Sequence, residues 1–267
     1  MIKLVAIDMD GTLLSDEKTI SEYTKEVISQ ANQKGVRIVI ATGRPLGGIK
    51  NTLAQLSLNT NNDYVIGFNG ALVQNVITEE IVAREILHGE DLHNLYEVSK
   101  QIGVNIHAFA KDGTCITPKL SEYTEYEGKM NDIPLAEVDF SKIPKDAEIS
   151  KIMLIDPEPI LTPAIQKLSK ELYDKYTVVR SAPFYLEFLN KNANKGVGVE
   201  QLAKYLGINQ DEVMAIGDAG NDLHMIKYAG IGVAMGNAID EIKQIAQYIT
   251  KTNNEDGVAH AIKKFVL

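Results

Sequence analysis

The first eighty residues alternate between nearly unbroken apolar runs and amphipathic segments of helical length. Residues 2–8, 36–41 and 64–68 form three apolar runs, each of which gives way to polar residues and a glycine. Runs of this kind are typical of strands that are buried on both faces of a parallel sheet. The segments between them, 21–35 and 46–56, have the spacing of amphipathic helices. The pattern therefore predicts consecutive βαβ units with parallel strands.

Between residues 84 and 191 short strands replace the long apolar runs. Helices are predicted at 91–102 and 156–173, and residues 118–144 form a less regular stretch bounded by prolines. The predicted strands of this region are 104–109, 115–117, 151–155, 177–181 and 185–189. Short strands mixed with helices in this way are typical of an antiparallel α+β unit.

The parallel pattern returns after residue 192. It consists of a helix at 194–206, strands at 213–217 and 231–235, a short edge strand at 248–250 and a final helix at 256–265. The sequence thus predicts an α/β protein with a Rossmann-like core domain built on a parallel sheet. This core is discontinuous, formed by residues 1–83 and 192–267, and an α+β domain at 84–191 is inserted into it.

Polar residues follow the last apolar residue of each predicted core strand. They are Asp8, Thr42, Asn69, Asp218 and Asn237. Parallel strands place their carboxyl ends at one edge of the sheet, where α/β proteins bind ligands, so we expect these side chains to converge. Helices of such units begin at the same edge. Lys195, at the start of a predicted helix, should therefore join the group.

Two carboxylates, Asp8 and Asp10, leave the end of the first strand together, and Gly11 permits a tight turn after them. A buried carboxylate costs free energy unless it is paired or bound to a metal ion. The acids therefore indicate a site of chemistry at this strand end.

Composition limits the partners that such a site can have. The 267 residues carry a formal net charge of −9, and no basic stripe offsets it, which disfavours nucleic-acid binding. No apolar run is long enough to cross a membrane, and the first strand leaves no room for a signal peptide. Cys115 is the only cysteine, which excludes an internal disulfide and a cysteine-based zinc cluster. These features predict a cytoplasmic location and no particular oligomeric state.

Four short segments resemble the motifs of the haloacid dehalogenase (HAD) superfamily of phosphotransferases, and they occur in that family's order. They are DMDGTLL from Asp8, ATGRP around Thr42, NKG around Lys195, and GDAGND ending at Asp222. The insertion between the second and third motifs, together with the TGRP and NGA strings, is similar to the Cof-type branch with a C2B cap, and particularly to its bacterial sugar phosphatases. The resemblance covers essentially the whole chain.

The resemblance implies that Asp8 is a nucleophile that forms an aspartyl phosphate. Asp8 and Asp218 are hard oxygen ligands suited to Mg²⁺, and the resemblance adds the backbone carbonyl of Asp10 as a third protein ligand. Asp10 is expected to protonate the departing alcohol and then to activate water. Because two neighbouring carboxylates resist ionising together, we expect a raised pKa at Asp10.

The remaining expected roles concern the phosphoryl group. Lys195 should offset its charge, and Thr42 with the backbone N–H groups of Met9 and Gly43 should hold its oxygens. Asn221 is expected to contact the phosphate. Asp222 is expected to orient Lys195 or a metal-bound water.

The function expected from this pattern is a Mg²⁺-dependent phosphatase that hydrolyses small phosphate monoesters, foremost sugar phosphates. The partner would be a small phosphorylated metabolite, and the inserted domain is expected to act as a cap that sets specificity. Two alternatives stay open: a HAD-type sugar phosphomutase, and a regulator that binds a phosphometabolite without turning it over. The Asp8/Asp10 pair argues against the regulator, because binding alone needs no proton carrier.

Overall fold

The computed structural model describes residues 1–267, which divide into two compact units. One unit comprises Met1–Arg84 and Asn194–Leu267, and the other comprises Glu85–Ala193. The second unit begins one residue later and ends two residues later than the inserted domain predicted at 84–191. We call the two parts the discontinuous unit and the inserted unit.

The chain forms fifteen strands. They are β1 (Leu4–Asp8), β2 (Arg37–Ala41), β3 (Tyr64–Gly67), β4 (Leu72–Asn75), β5 (Ile81–Arg84), β6 (Leu87–His88), β7 (Asn105–Ala110), β8 (Cys115–Thr117), β9 (Leu135–Glu137), β10 (Glu148–Ile155), β11 (Tyr176–Ala182), β12 (Tyr185–Asn190), β13 (Val213–Gly217), β14 (Ile231–Ala234) and β15 (Tyr248–Ile249).

It also forms ten α-helices, with short 3₁₀ turns between some of the elements. They are α1 (Glu22–Gln33), α2 (Lys50–Gln55), α3 (Gly89–Ile102), α4 (Glu122–Asn131), α5 (Glu158–Ile165), α6 (Lys170–Lys175), α7 (Lys195–Tyr205), α8 (Leu223–Tyr228), α9 (Asp240–Ile245) and α10 (Gly257–Phe265). No helix is both long enough and apolar enough to cross a membrane.

The discontinuous unit is built on an eight-stranded sheet in the order β15-β14-β13-β1-β2-β3-β4-β5. The strands from β15 to β3 pair in parallel, as the apolar runs predict. β1 lies in the middle, and all five of its residues are buried. The strand order reverses beside β1, between β13 and β2, which is where open α/β sheets form their ligand crevice.

The last two strands at one side of this sheet, β4 and β5, depart from the sequence-based expectation. β4 and β5 form a hairpin that continues the sheet antiparallel after β3, in a region for which the pattern predicts no strand. The Asn75 side chain closes the turn by accepting from the N–H groups of Ile77 and Thr78. The core is therefore a parallel sheet with an antiparallel edge.

The inserted unit is an α+β sheet in the order β11-β12-β10-β7-β8-β9, with β6 pairing with β10. All its pairings are antiparallel except that of β8 with β9. Its own apolar core includes Leu92, Leu95, Ile152, Leu161 and Phe188, which are contributed by helices and by one face of the sheet. The expected α+β architecture is thus present in the inserted unit.

Two helices of the inserted unit differ from the prediction. The helix expected at 156–173 is two helices, α5 and α6. α5 runs through Pro163 to Ile165, residues 166–169 turn, and the extended backbone of Ser169 separates this turn from α6. The stretch expected to be irregular contains α4, which Ser121 caps by accepting from the Thr124 N–H. Polar residues such as Thr124, Glu127 and Asn131 form the buried side of α4, so its sequence shows no apolar stripe.

Candidate active site

The candidate site lies at the carboxyl ends of the parallel strands of the discontinuous unit. Asp8 is the last residue of β1, and Asp218 directly follows β13, its parallel neighbour. Carboxylate oxygens of Asp8, Asp218 and Asp222 all lie within 4.8 Å of one another. Distant parts of the chain therefore contribute three acids to one cluster, and Asp8 is 5 % exposed.

Lys195 supplies the positive charge inside this cluster. Asn194 caps α7 by accepting from the Val197 N–H, which places Lys195 in the first turn. Its Nζ donates to Asp8 Oδ1 at 2.5 Å and to Asp222 Oδ1 at 2.6 Å, and the side chain is fully buried. Burial alone would lower the pKa of Lys195, but the charges of Asp222 and Asp8 outweigh it and raise the pKa.

Asp222 accepts hydrogen bonds from protein donors on both of its carboxylate oxygens and thereby orients its neighbours. While Oδ1 accepts from Lys195, Oδ2 accepts from the backbone N–H groups of Asp218 and Ala219. Both of its oxygens are thus occupied by protein donors. Its side chain fixes Lys195 and the turn that carries Asp218.

Asp8 is the acid whose ionisation the surroundings oppose most. Burial raises its pKa well above the ordinary range, and the negative charge of Asp222 adds to this rise, while Lys195 acts in the opposite direction. The pKa of Asp218 is also raised, again chiefly by burial. The carboxylates of the cluster would therefore be stabilised by additional positive charge.

The donor set fits a divalent cation. Three carboxylates and one ammonium leave a formal charge of −2 in the cluster. Asp8 has one oxygen on Lys195, and Asp218 has one oxygen on Thr12 Oγ1 at 2.7 Å, so each can direct its second oxygen to a ligand. Hard carboxylate oxygens are the ligands that Mg²⁺ prefers, and it binds through few of them. Since both Asp222 oxygens are occupied, Asp8 and Asp218 are the better candidates.

Gly11 makes room for this arrangement. Its φ of +85° lies in the left-handed region, and a Cβ there would stand 2.6 Å from Asp218 Oδ2. Any other residue would strain the turn and displace a candidate ligand. The Asn237 side chain holds the same turn by donating to the Gly11 carbonyl at 2.8 Å.

The structure contradicts the expectation of a raised pKa at Asp10. Burial does act to raise it, but hydrogen bonds and charges from Arg44 and Lys18 outweigh burial, so the pKa of Asp10 is lowered. Arg44 Nε donates to Oδ2 at 2.9 Å and Nη2 to Oδ1 at 2.7 Å, and Lys18 Nζ donates to Oδ1 at 3.0 Å. Sequence reasoning compared Asp10 only with its neighbour Asp8 and did not include these cations.

The predicted phosphate-binding residues surround the same strand ends. Thr42 is buried, and its hydroxyl oxygen accepts from the Arg44 N–H. Gly43 lies against the side chain of Asn69, which accepts from Asn221 Nδ2 at 3.1 Å. The Met9 side chain belongs to the apolar core, so only its backbone can serve a ligand. Lys195 and Asp222 lie in the acidic cluster described above.

Sequence reasoning assigned no role to Thr12, Lys18 or Arg44, and it expected Asn69 only to converge with the other polar residues at the strand ends. All four contact predicted site residues. Thr12 and Arg44 belong to the DMDGTLL and ATGRP segments, so their closeness to the acids was the available signal. Asn69 lies in a turn where Phe68, Asn69 and Gly70 all have positive φ. A Cβ on Gly70 would stand 2.1 Å from the Asn194 carbonyl, so this glycine lets the turn approach the start of α7.

Comparisons with known proteins agree with the site and the fold. The family model for haloacid dehalogenase-like hydrolases matches residues 5–262. The chain is 47% identical over 269 residues to "Putative phosphatase YxeH" of Bacillus subtilis, covering 100% of this chain and 99% of that protein. It is 34% identical over 266 residues to 5-amino-6-(5-phospho-D-ribitylamino)uracil phosphatase YcsE of the same organism, covering 100% and 96%.

A solved structure resembles the whole chain as well. The HAD subclass IIB sugar phosphatase BT4131 superposes with a TM-score of 0.78 at 29% identity, covering 98% of each chain.

Proposed function

Because the chain belongs to the family of haloacid dehalogenase-like hydrolases, we propose that it is a Mg²⁺-dependent phosphatase of small phosphate monoesters, foremost sugar phosphates. The observation that carries this proposal is the convergence of Asp8, Asp218, Asp222 and Lys195 in one buried cluster. A cluster with this composition can hold a cation and face a phosphate dianion with balanced charge.

The first chemical step is attack of an Asp8 carboxylate oxygen on phosphorus. The new O–P bond forms as the ester P–O bond breaks, and the departing alcohol oxygen takes a proton from Asp10. Asp8 and the phosphate dianion repel each other, at about 4 kcal/mol per unit pair at 4 Å for an effective dielectric of about 20. Mg²⁺ bound by Asp8 and Asp218 would supply the positive charge that offsets this repulsion. Lys195 contributes a second positive charge that the protein itself fixes.

The second step returns the enzyme to its starting state. Water attacks phosphorus of the aspartyl phosphate, Asp10 accepts the proton of that water, and Asp8 leaves as a carboxylate with release of inorganic phosphate. Asp10 is held as a carboxylate by Arg44 and Lys18, which is the form that this second step needs. For the first step Asp10 must carry a proton, so one ion pair must loosen when the substrate binds. Lys18 is the partner that can withdraw, because its side chain is 61% exposed.

The substrate class is supported by the names of the relatives. YcsE is named for a substrate with a phosphorylated ribityl chain, and BT4131 is a sugar phosphatase. Both names describe a phosphate ester on a polyol, so sugar and sugar-alcohol phosphates are the first compounds to assay. The inserted unit remains the predicted source of specificity for the alcohol.

The experiment that tests this function is phosphate release from a panel of sugar phosphates, sugar-alcohol phosphates and nucleotides, with and without Mg²⁺. We expect Mg²⁺-dependent release of inorganic phosphate from sugar or polyol monophosphates. Turnover that requires a bisphosphate activator and yields an isomeric sugar phosphate would favour the phosphomutase. Binding of these compounds without any product would favour the regulator.

A further inference from the structure

Arg44 holds both carboxylate oxygens of Asp10 with one planar group. Its Nε and Nη2 donate to Oδ2 and Oδ1 at 2.9 and 2.7 Å, which is the two-bond geometry that fixes a carboxylate most firmly. Lys18 offers a single contact at 3.0 Å to the same group. Of the two cations, only Arg44 can set the plane of the Asp10 carboxyl group.

The backbone of Arg44 is itself anchored. Its N–H donates to Thr42 Oγ1 at 3.2 Å, and its carbonyl accepts from the Phe68 N–H at 3.2 Å. Pro45 follows and restricts the conformation of Arg44. The side chain is 22% exposed, compared with 61% for Lys18. The backbone that carries the guanidinium is thus anchored next to the ends of β2 and β3, whereas the side chain of Lys18 is largely exposed to solvent.

We propose, given the phosphatase function above, that Arg44 is a positioning residue that aligns the Asp10 carboxyl group with the leaving-group oxygen. The Nε–Oδ2 bond fixes the orientation of the carboxyl group while Oδ1 exchanges Lys18 for the alcohol oxygen. Misplacing a catalytic group by about 1 Å can cost about 100-fold in rate. Arg44 therefore acts on the step that needs a proton, without itself touching the phosphoryl group.

Esters that differ in leaving group separate this role from phosphate binding. An alkoxide needs a proton to depart, whereas 4-nitrophenolate departs readily without one. In Arg44→Lys, which keeps the charge but loses the two-bond geometry, kcat/KM for glycerol 2-phosphate should fall about 10- to 100-fold. For 4-nitrophenyl phosphate kcat/KM should fall by less than about threefold, because kcat/KM reports only the steps up to departure of the alcohol.

Two controls match this substitution. Arg37→Lys makes the same exchange at the other end of β2, where the Arg37 side chain donates a hydrogen bond to the Asn62 carbonyl. It should leave kcat/KM unchanged for both esters. Lys18→Gln removes a cation from Asp10 but retains the Arg44 bonds. Because an exposed ion pair of this kind contributes little, kcat/KM for either ester should change by at most about fivefold. Circular dichroism checks folding. Arg44→Gln provides a second variant, with a loss at least as large as that of Arg44→Lys for the alkyl ester.

Several outcomes would overturn the proposal. Equal losses of kcat/KM for both esters would assign Arg44 to the phosphoryl group. No loss for either ester would exclude a role of Arg44 in the reaction. In an Asp10→Asn background Arg44→Lys should add no further loss, so multiplicative effects would also contradict positioning.

An NMR measurement tests the pair independently of turnover, so it separates a failure of this proposal from a failure of the proposed function. The Nε–H signal of Arg44, one of four arginines, should shift far more in Asp10→Asn than in Lys18→Gln. A signal unchanged by Asp10→Asn would show that Arg44 does not hold Asp10.

Discussion

Removing the Lys195 ammonium should destabilise the discontinuous unit strongly at neutral pH. In Lys195→Met, Asp8 and Asp222 each lose a hydrogen bond of 2.5–2.6 Å to a fully buried cation, and the nearby Asp218 carboxyl remains. Breaking a buried ion pair by removing one partner costs about 3–5 kcal/mol, because it leaves uncompensated charge in the interior. Methionine keeps most of the apolar stem, so the loss reports mainly on charge.

The expected change in melting temperature follows from this free energy. For a unit of about 150–250 residues, 1 kcal/mol corresponds to about 2–4 °C, so the transition of the discontinuous unit should move down by about 6–20 °C. Differential scanning calorimetry in buffer free of divalent cations measures it. Lys204→Met provides the matched control on the same helix, since Lys204 pairs with Glu200 at the surface and its loss should shift the transition far less than Lys195→Met does.

The pH dependence of the destabilisation distinguishes a loss of charge from a packing defect. The pKa of Lys195 is raised, so its stabilisation is fully present below its unfolded pKa of about 10.4 and is lost only as pH rises through the folded pKa. In Lys195→Met, Asp8 keeps the burial that raises its pKa and loses the cation that opposes this rise, so the cost of its charge grows as pH rises above about 4. The variant should therefore melt closer to the wild type at pH 5 than at pH 8. An equal deficit at both pH values, or no deficit at pH 8, would refute the charge balance derived for the cluster.

Three further predictions concern the metal ligand, the proton carrier and an ion pair of the inserted unit. Asp218→Asn should raise the Mg²⁺ concentration needed for half-maximal activity by at least about tenfold, and an unchanged metal titration would exclude it as a ligand. Asp10→Asn should lower kcat about 100- to 10,000-fold with little change in KM, and the opposite division in steady-state kinetics would contradict its acid/base role. Lys151→Met should cost about 3–5 kcal/mol in urea unfolding, whereas Lys151→Met with Glu187→Leu should be nearly neutral, because the pair is buried in the inserted unit. Equal losses in the single and double variants would show that the charge of Glu187 is not what the single variant leaves uncompensated.

The parallel strands were predictable because burial on both faces leaves a simple sequence signal. β1, β2, β3, β13 and β14 all appear in the chain as apolar runs. Their polar end residues are brought together by the geometry of parallel sheets alone, which is why Asp8 and Asp218 could be paired although they are 210 positions apart. The resemblance to the HAD family, which the family match confirms, added the expected role of each residue.

Other features depend on contacts that no local pattern encodes. α4 buries a polar face, so its sequence lacks the apolar residues at helical spacing that would have predicted a helix. The pKa of Asp10 is decided by Arg44, which lies 34 positions away, and by the exposed Lys18. Likewise, Lys151 and Glu187 form an ion pair only because β10 and β12 are neighbours in the inserted sheet.

Trapping the covalent intermediate tests the central claim most directly. The enzyme is mixed with Mg²⁺ and a cleaved phosphate ester, quenched in acid within one turnover, and digested for mass spectrometry. We predict a phosphoryl group on the peptide that contains Asp8, and we predict that Asp8→Asn folds normally, shows no such group and releases no phosphate. Rapid turnover by the wild type without a phosphorylated Asp8 peptide, together with near-normal phosphate release by Asp8→Asn, would contradict the account.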